Sequence, residues 1–302
     1  MKHKPAADTA DLATEQRHPG SRALDKLTSL QIASVMNAED AKIAGAVRKA
    51  LPQIAQAIDA VAEALSKGGR LIYVGTGTSG RIGALDAVEC PPTFNVPPGL
   101  VQYIIAGGEQ ALGAAVEADE DSRTAGRADL ARHKPSRRDV VVGIAASGRT
   151  PYSVAALKYA RSKGSKTVAI SCNRNSPLES AADIRIVVNT GPEVLTGSTR
   201  MKAGTAQKMV LNMLTTGAMT RMGLVYENLM VNVHLKNSKL SERGIQIVMQ
   251  ATGLGREAGV QMLRKARGSV PVAIVMSKSG VTRAEAERRL LRSHGRVHAA
   301  LK

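Results

Sequence analysis

Five short, almost continuously apolar runs rich in β-branched residues constrain this chain more than any other feature. They are RLIYVG (70–75), VQYIIA (101–106), DVVVGIAA (139–146), KTVAISC (166–172) and DIRIVVN (183–189). Successive side chains of a strand point to opposite faces, so a run apolar at every position suits a strand covered on both sides. Helical patterns at 80–88, 109–131 and 151–163 separate the runs. This alternation predicts an α/β fold: a doubly wound, parallel, five-stranded sheet with right-handed crossovers.

Helical periodicity also precedes the first run, over residues 22–66, and Gly68-Gly69 marks its stop. After the last run a long helix is expected from Thr199 to Met222, and another over Asn228–Ser241. Short helices broken by Gly and Pro follow to the end. Within them, ATGLGREAGVQMLRKARG and KSGVTRAEAERRLLRSHG are weakly alike. The chain therefore divides into a mobile tail over 1–20, a main domain with N-terminal helices over 21–242, and a small basic helical domain over 243–302.

No apolar run approaches the ~18 residues of a membrane span, and MKHKPAADTADLATEQRHPG lacks the apolar core of a signal peptide. A cytoplasmic protein is expected, with Cys90 and Cys172 as free thiols. The formal net charge is +17, and residues 241–302 hold twelve Lys/Arg against four Glu. Such charge raises affinity for polyanions. With no Trp, one Phe and five Tyr, however, the chain lacks stacking platforms for single strands. Nucleic acid is disfavoured as a partner; a solvated basic face, or a phosphate-bearing substrate, accounts for the charge. The six His are scattered with no metal-ligand spacing, and His234, beside Asn232 in an expected helix, reads as a packed or interface residue.

Ligands of open parallel sheets sit beyond the C-terminal strand ends, and three of those ends are chemically unusual. VGTGTSGR (74–81) puts Gly75, Gly77 and Gly80 among the hydroxyls of Thr76, Thr78 and Ser79, directly before a helix whose free N–H groups suit an anion. It is neither a dinucleotide fingerprint nor a Walker loop. AASGRTPYS (145–153) repeats the pattern with Ser147, Gly148, Arg149 and Thr150 ahead of Pro151. GPEVLTGSTRMKAGTAQK (191–208) clusters Thr196, Ser198 and Thr199, with Glu193 upstream and Arg200 and Lys202 beyond; helix capping explains some of these hydroxyls. Two hydroxyl-rich turns that each open a helix point to a monophosphate cradle of backbone and hydroxyls.

The two turns, in this order on β/α units, resemble a sugar isomerase (SIS) domain, a phosphosugar-binding fold. More closely, the chain resembles the N-acetylmuramic acid 6-phosphate etherase family through GGRLIYVGTGTSGRIGALDAVECPPTF, IAGGEQALGAAVEADEDS, DVVVGIAASGRTPY, GPEVLTGSTRMKAGTAQKMVLNMLTTGAM and NLMVNVHLKNSKL. TEQRHPGSRALDKLTSLQIASVMNAED fits as well. The resemblance covers about residues 14–240 and is looser beyond. It departs at His18, where the family more often has Asn, and in the basic C-terminal region.

The resemblance implies cleavage of the lactyl ether at C3 of the sugar phosphate. In the open-chain aldehyde the C2 proton is α to a carbonyl and the ether is β. Removal of that proton, protonation of the departing oxygen and addition of water complete the reaction with no metal or redox cofactor. Two carboxylates coincide with residues the family uses: Glu89 as the acid at the ether oxygen and Glu120 as the base at C2. One protonated and one ionised carboxyl near neutrality is what burial and mutual repulsion can produce. The remaining contacts to the phosphosugar are expected from Gly77, Thr78, Ser79, Ser147, Gly148, Arg149, Thr150, Glu193 and Ser198.

Read without the resemblance, Glu120 is an exposed acid in an acidic run and Glu89 a helix-end residue before Pro91-Pro92, which would stop the helix. Cys90 has no environment that lowers a thiol pKa. Because SIS domains usually complete their sites across an interface, the resemblance implies a homodimer. It would cover the Met-rich helix 208–223, which core packing explains nearly as well. A phosphosugar isomerase would use the same cradle and leave the ether intact, and a sugar-phosphate-sensing regulator would give the basic C-terminal region a nucleic-acid role.

Overall fold

All five expected strands form in the computed structural model, which describes residues 12–302 apart from 115, 117, 118, 234, 236 and 237. They are β1 (Leu71–Gly75), β2 (Val101–Ile105), β3 (Val140–Ile144), β4 (Lys166–Ser171) and β5 (Ile184–Val187). The sheet runs β2-β1-β3-β4-β5, and every pairing is parallel. Leu71 lies level with both Val101 and Val140, so the first three strands end together at Gly75, Ile105 and Ile144. The reversal of chain direction about β1 and β3 makes this C-terminal edge the natural ligand crevice. At the opposite edge Arg70 binds Asp139 in a bidentate pair, Nε to Oδ1 at 3.1 Å and a terminal nitrogen to Oδ2 at 2.9 Å.

The helices are α1 (Ser29–Asp40), α2 (Ile43–Arg48), α3 (Leu51–Ser66), α4 (Gly77–Phe94), α5 (Gln110–Gly113), α6 (Arg123–Arg132) and α7 (Pro151–Ser162). There follow α8 (Pro177–Ser180), α9 (Lys202–Arg221), α10 (Ser238–Thr252), α11 (Arg256–Lys265), α12 (Val270–Ser279), α13 (Arg283–Arg292) and α14 (Val297–Ala300). None of the described helices is long and apolar enough to cross a membrane. The chain forms two compact units, 12–87 with 99–214 and 88–98 with 215–302. In the first, Ile72, Val74 and Val141 of the sheet pack with Leu157 of α7 and Leu178 of α8 in one core. Full burial of each such side chain contributes about 1.5–3 kcal/mol. The second has its own core, in which Val248, Ile274, Val275, Ala286 and Val297 join Tyr226 and Val231.

Three of the expected helix assignments need correction. Pro91-Pro92 does not stop a helix: both residues lie inside α4. Proline costs hydrogen bonds but its φ matches the helix, and α4 ends where Asn95 turns left-handed (φ 56°) with its N–H on the Pro91 carbonyl at 2.9 Å. The single helix expected over 109–131 is two, because Ala114 is extended and Ser122 starts α6 afresh by accepting the Ala125 N–H at 3.1 Å. Residues 228–233 are not helical. Tyr226 and Leu229 exchange backbone hydrogen bonds around Glu227 (φ 54°), and the apolar residues that follow fill the second core from irregular backbone. Residues on both sides of 242/243 belong to α10, within the unit that includes residues 215–302.

The tail expected over 1–20 does not extend over 12–20. Thr14 is fully buried and its hydroxyl accepts from Asn173 Nδ2 at 3.0 Å. His18 Nε2 lies 3.1 Å from Glu39 Oε1. Glu39 also receives Lys42 and, at 2.8 Å, the Nζ of Lys202, which is 2% exposed. Burial alone would raise the Glu39 carboxyl; the hydrogen bonds from Lys202 and Lys42 outweigh it and hold it down at about 2. A lowered folded-state pKa stabilises at pH above the ordinary carboxylate value and loses that contribution as pH falls. Chemical denaturation should therefore show a Glu39 contribution lost between pH 4.5 and about 2. Lys202→Met, which removes the buried partner and leaves the carboxylate only Lys42 and His18, should cost about 1–3 kcal/mol at neutral pH; a loss well below about 1 kcal/mol, the scale of a surface ion pair, would show that the pair does not anchor α9.

Candidate active site

The turn after β1 is built by close backbone approach. A Cβ on Gly75 would stand 2.8 Å from the Gly80 nitrogen, and one on Gly80 would meet Ile105 Cγ1 at 2.6 Å. Only glycine lets α4 begin so near the strand that precedes it. Gly77 has φ +47°, and a Cβ there would meet nothing within 4 Å, so its backbone faces open space. Thr76 and Ser79 are buried, whereas Thr78 is half-buried with its methyl near Gly204 of α9. The Ser79 hydroxyl donates to Gln207 Oε1 at 3.0 Å.

The turn after β3 has the same logic. Gly148 is left-handed (φ +66°), and a Cβ there would lie 2.4 Å from Ser176 Oγ. The Arg149 N–H donates to Ser147 Oγ at 3.1 Å, and the Arg149 Nε is buried with no hydrogen-bond partner. Thr150 occupies the N-cap of α7 without capping it. Its hydroxyl donates instead to Glu120 Oε1 at 3.4 Å, and the same oxygen accepts the Thr76 hydroxyl at 3.0 Å. One carboxylate oxygen thus joins both hydroxyl-rich turns. The Glu120 carbonyl accepts the Tyr152 N–H at 3.2 Å. Tyr152 Oη in turn donates to Asp129 Oδ2 at 2.7 Å, and Gly126 abuts the Tyr152 backbone. Glu120 is therefore fixed by backbone, side chain and helix packing together.

The third turn plays a different part. Glu193 is fully buried, and its two oxygens accept the Lys202 and Ala203 N–H groups at 3.0 and 2.9 Å. Burial raises its carboxyl pKa despite those two donors. Glu193, expected as a substrate contact, has both oxygens committed to the start of α9. Ser198 is half-buried in the turn before that helix. Ala203 packs with Ala146 and Cys172, the residues following β3 and β4. The start of α9 thus rests on the sheet's C-terminal edge. Burial pushes the Cys172 thiol up to about 12, which makes it a packing residue. Cys90 is likewise buried and forms no disulfide.

Glu89 is exposed on α4, five residues before the helix ends. One turn earlier, Asp86 is 6% exposed; its oxygens accept Tyr73 Oη at 2.7 Å and Asn212 Nδ2 at 2.8 Å. That link sets the rotation of α4 against β1 and α9. His234 lies outside the described residues. Sequence reasoning named the hydroxyls of the first turn but missed Gln207 and the Asp86 link, because a polar residue on a helix announces a partner only once the two helices are side by side.

Two family models match the chain: the glucokinase regulatory protein N-terminal SIS domain over residues 53–161, and the SIS domain over 129–217. Among solved structures, the phosphoheptose isomerase of Neisseria gonorrhoeae superposes with a TM-score of 0.50 at 16% identity, over 63% of this chain and 98% of that one; the likeness is one of fold. The N-acetylmuramic acid 6-phosphate etherase of Edwardsiella ictaluri (strain 93-146) is 54% identical over 96% of this chain and 97% of its own. That of Yersinia pestis (strain Pestoides F) is 52% identical over 96% of this chain and 98% of its own. With identity at this level over nearly the whole length, the chain belongs to the N-acetylmuramic acid 6-phosphate etherase family.

Proposed function

We infer that this chain is a carbon–oxygen lyase. It cleaves the D-lactyl ether of N-acetylmuramic acid 6-phosphate to D-lactate and N-acetylglucosamine 6-phosphate, in catabolism or recycling of cell-wall amino sugars. Family membership carries the reaction. The observation that carries the site is Glu120, whose one oxygen takes a hydroxyl from each turn.

The turns after β1 and β3 receive the phosphosugar. The start of α4 offers free backbone N–H groups to a phosphate, and the open space beside Gly77 admits one. Thr78, Ser79, Ser147, Gly148, Arg149 and Thr150 supply the remaining contacts, with Ser198 beside them. Two hydroxyls hold the Glu120 carboxylate in a single orientation, as a base aimed at one proton requires. Glu120 takes the C2 proton of the open-chain aldehyde. Electrons flow to the C2–C3 bond as the C3–O bond breaks, and Glu89 protonates the lactate oxygen. Glu120 then releases its proton to solvent while Glu89 regains one; the restored Glu120 carboxylate takes a proton from water as the water oxygen adds at C3, and passes that solvent-derived proton to C2. A phosphosugar isomerase would stop at proton transfer, so release of lactate separates the two chemistries.

The working form is a homodimer in the cytoplasm. Leu85 and Val88, one turn apart on α4 beside Glu89, are 51% and 53% exposed, and apolar side chains paired on a helix face favour cover by a second copy.

Purified protein should release D-lactate from N-acetylmuramic acid 6-phosphate, and Glu89→Gln should lower kcat by about 10²–10⁴-fold while phosphosugar affinity holds. Normal turnover by Glu89→Gln would remove it from the acid role. Light scattering should give twice the chain mass, and Leu85→Asp with Val88→Asp should halve it; an unchanged mass would place the interface elsewhere.

A further inference from the structure

The turn after β1 meets α9 through a side chain that the chemistry above leaves without a task. Gln207 is 1% exposed, and its Oε1 accepts the Ser79 hydroxyl at 3.0 Å. Its Nε2 is buried with no hydrogen-bond partner. An amide nitrogen carries two donors, and interior polar groups are almost always paired. Leaving one unmade costs the full desolvation of the group. Because Oε1 and Nε2 share one planar amide, the nitrogen also sits at this turn, where α4 presents its free N–H groups.

Turning the amide over exchanges the roles. Nε2 then donates to Ser79 Oγ, which releases the Ser79 hydrogen for another acceptor. In both arrangements the Gln207–Ser79 pair holds a donor that the protein does not satisfy. Gln207 is also held firmly in place. Glu193 fixes the start of its helix, Gly204 packs against Thr78 one turn before it, and Asn212 binds Asp86 beyond it at 2.8 Å. An unsatisfied donor on a fixed helix, beside a helix start, calls for an anion.

The geometry points to Gln207 as a substrate-binding residue that donates to the sugar 6-phosphate, from Nε2 itself or through the Ser79 hydroxyl. This rests on the reading that the turn after β1 takes the phosphate, and adds to it a donor from a separate helix. The phosphate is then gripped from two directions, by the start of α4 and by the flank of α9. Such a contact forms in the ground state and persists in the transition state, so it belongs to KM rather than kcat.

The test compares Gln207→Leu, Gln207→Glu and Ser79→Ala, reading affinity for N-acetylglucosamine 6-phosphate together with KM and kcat for the ether substrate. Gln207→Glu keeps an acceptor for Ser79 but brings a negative charge towards the phosphate. Gln207→Leu should weaken phosphosugar binding and raise KM about 10- to 100-fold, Gln207→Glu at least as much, and kcat should move less than KM. If Gln207→Leu binds like the unsubstituted chain while Ser79→Ala does not, Gln207 is no ligand although the turn still is. If neither alters binding, the phosphate sits elsewhere and both readings fall. A fall in kcat at constant KM also overturns the proposal. Should circular dichroism show Gln207→Leu unfolded, unchanged affinity in Gln207→Glu overturns it alone.

Discussion

The anchoring of one helix start governs the candidate site. Glu193 is fully buried and accepts the first two N–H groups of α9. Beside it Lys202 reaches back to Glu39. A helix start carries unpaired donors and partial positive charge, so a buried carboxylate there is stabilised while it fixes where the helix begins. From that origin α9 delivers Gly204 to Thr78, Gln207 to Ser79 and Asn212 to Asp86. A register slip in α9 would break all three contacts together. The same cluster ties in residues 12–20 through His18, so the segment before the first long helix is part of the site's foundation.

Glu120 depends on a second frame, the packing of α6 on α7. The Tyr152 N–H, the Asp129–Tyr152 hydrogen bond and the close approach at Gly126 hold the segment before α6 against the turn after β3. The carboxylate then meets Thr76 and Thr150, from the turns that follow two neighbouring strands of the sheet. For the proposed base this is preorganisation: its orientation is set by folding and not by substrate.

Much of this was legible in sequence, for identifiable reasons. Strands buried on both faces write themselves as unbroken apolar runs, and all five were found within one or two residues at either end. Glycines packed among hydroxyls at Gly75–Gly80 and Ser147–Thr150 marked the turns, since close approach leaves few alternatives. What was misread depended on tertiary partners. Thr14 looks like tail until Asn173 binds it, and nothing in the sequence shows that the Glu193 oxygens accept the first N–H groups of α9. The double proline resembled a stop because propensity is local, whereas the end of α4 is set by Asn95. Residues 228–233 carry helix-compatible apolar spacing, yet the bridge at Tyr226–Leu229 takes their backbone elsewhere.

Elimination followed by hydration, as proposed for this site, moves protons at C2 and breaks the bond between C3 and oxygen. Cleavage in H₂¹⁸O and D₂O, with products located by mass spectrometry and NMR, tests that chemistry. It should leave ¹⁸O on C3 and deuterium on C2 of N-acetylglucosamine 6-phosphate, and D-lactate that keeps the original ether oxygen. Solvent oxygen in the lactate hydroxyl, or product with C2 still bearing its original proton, would contradict it.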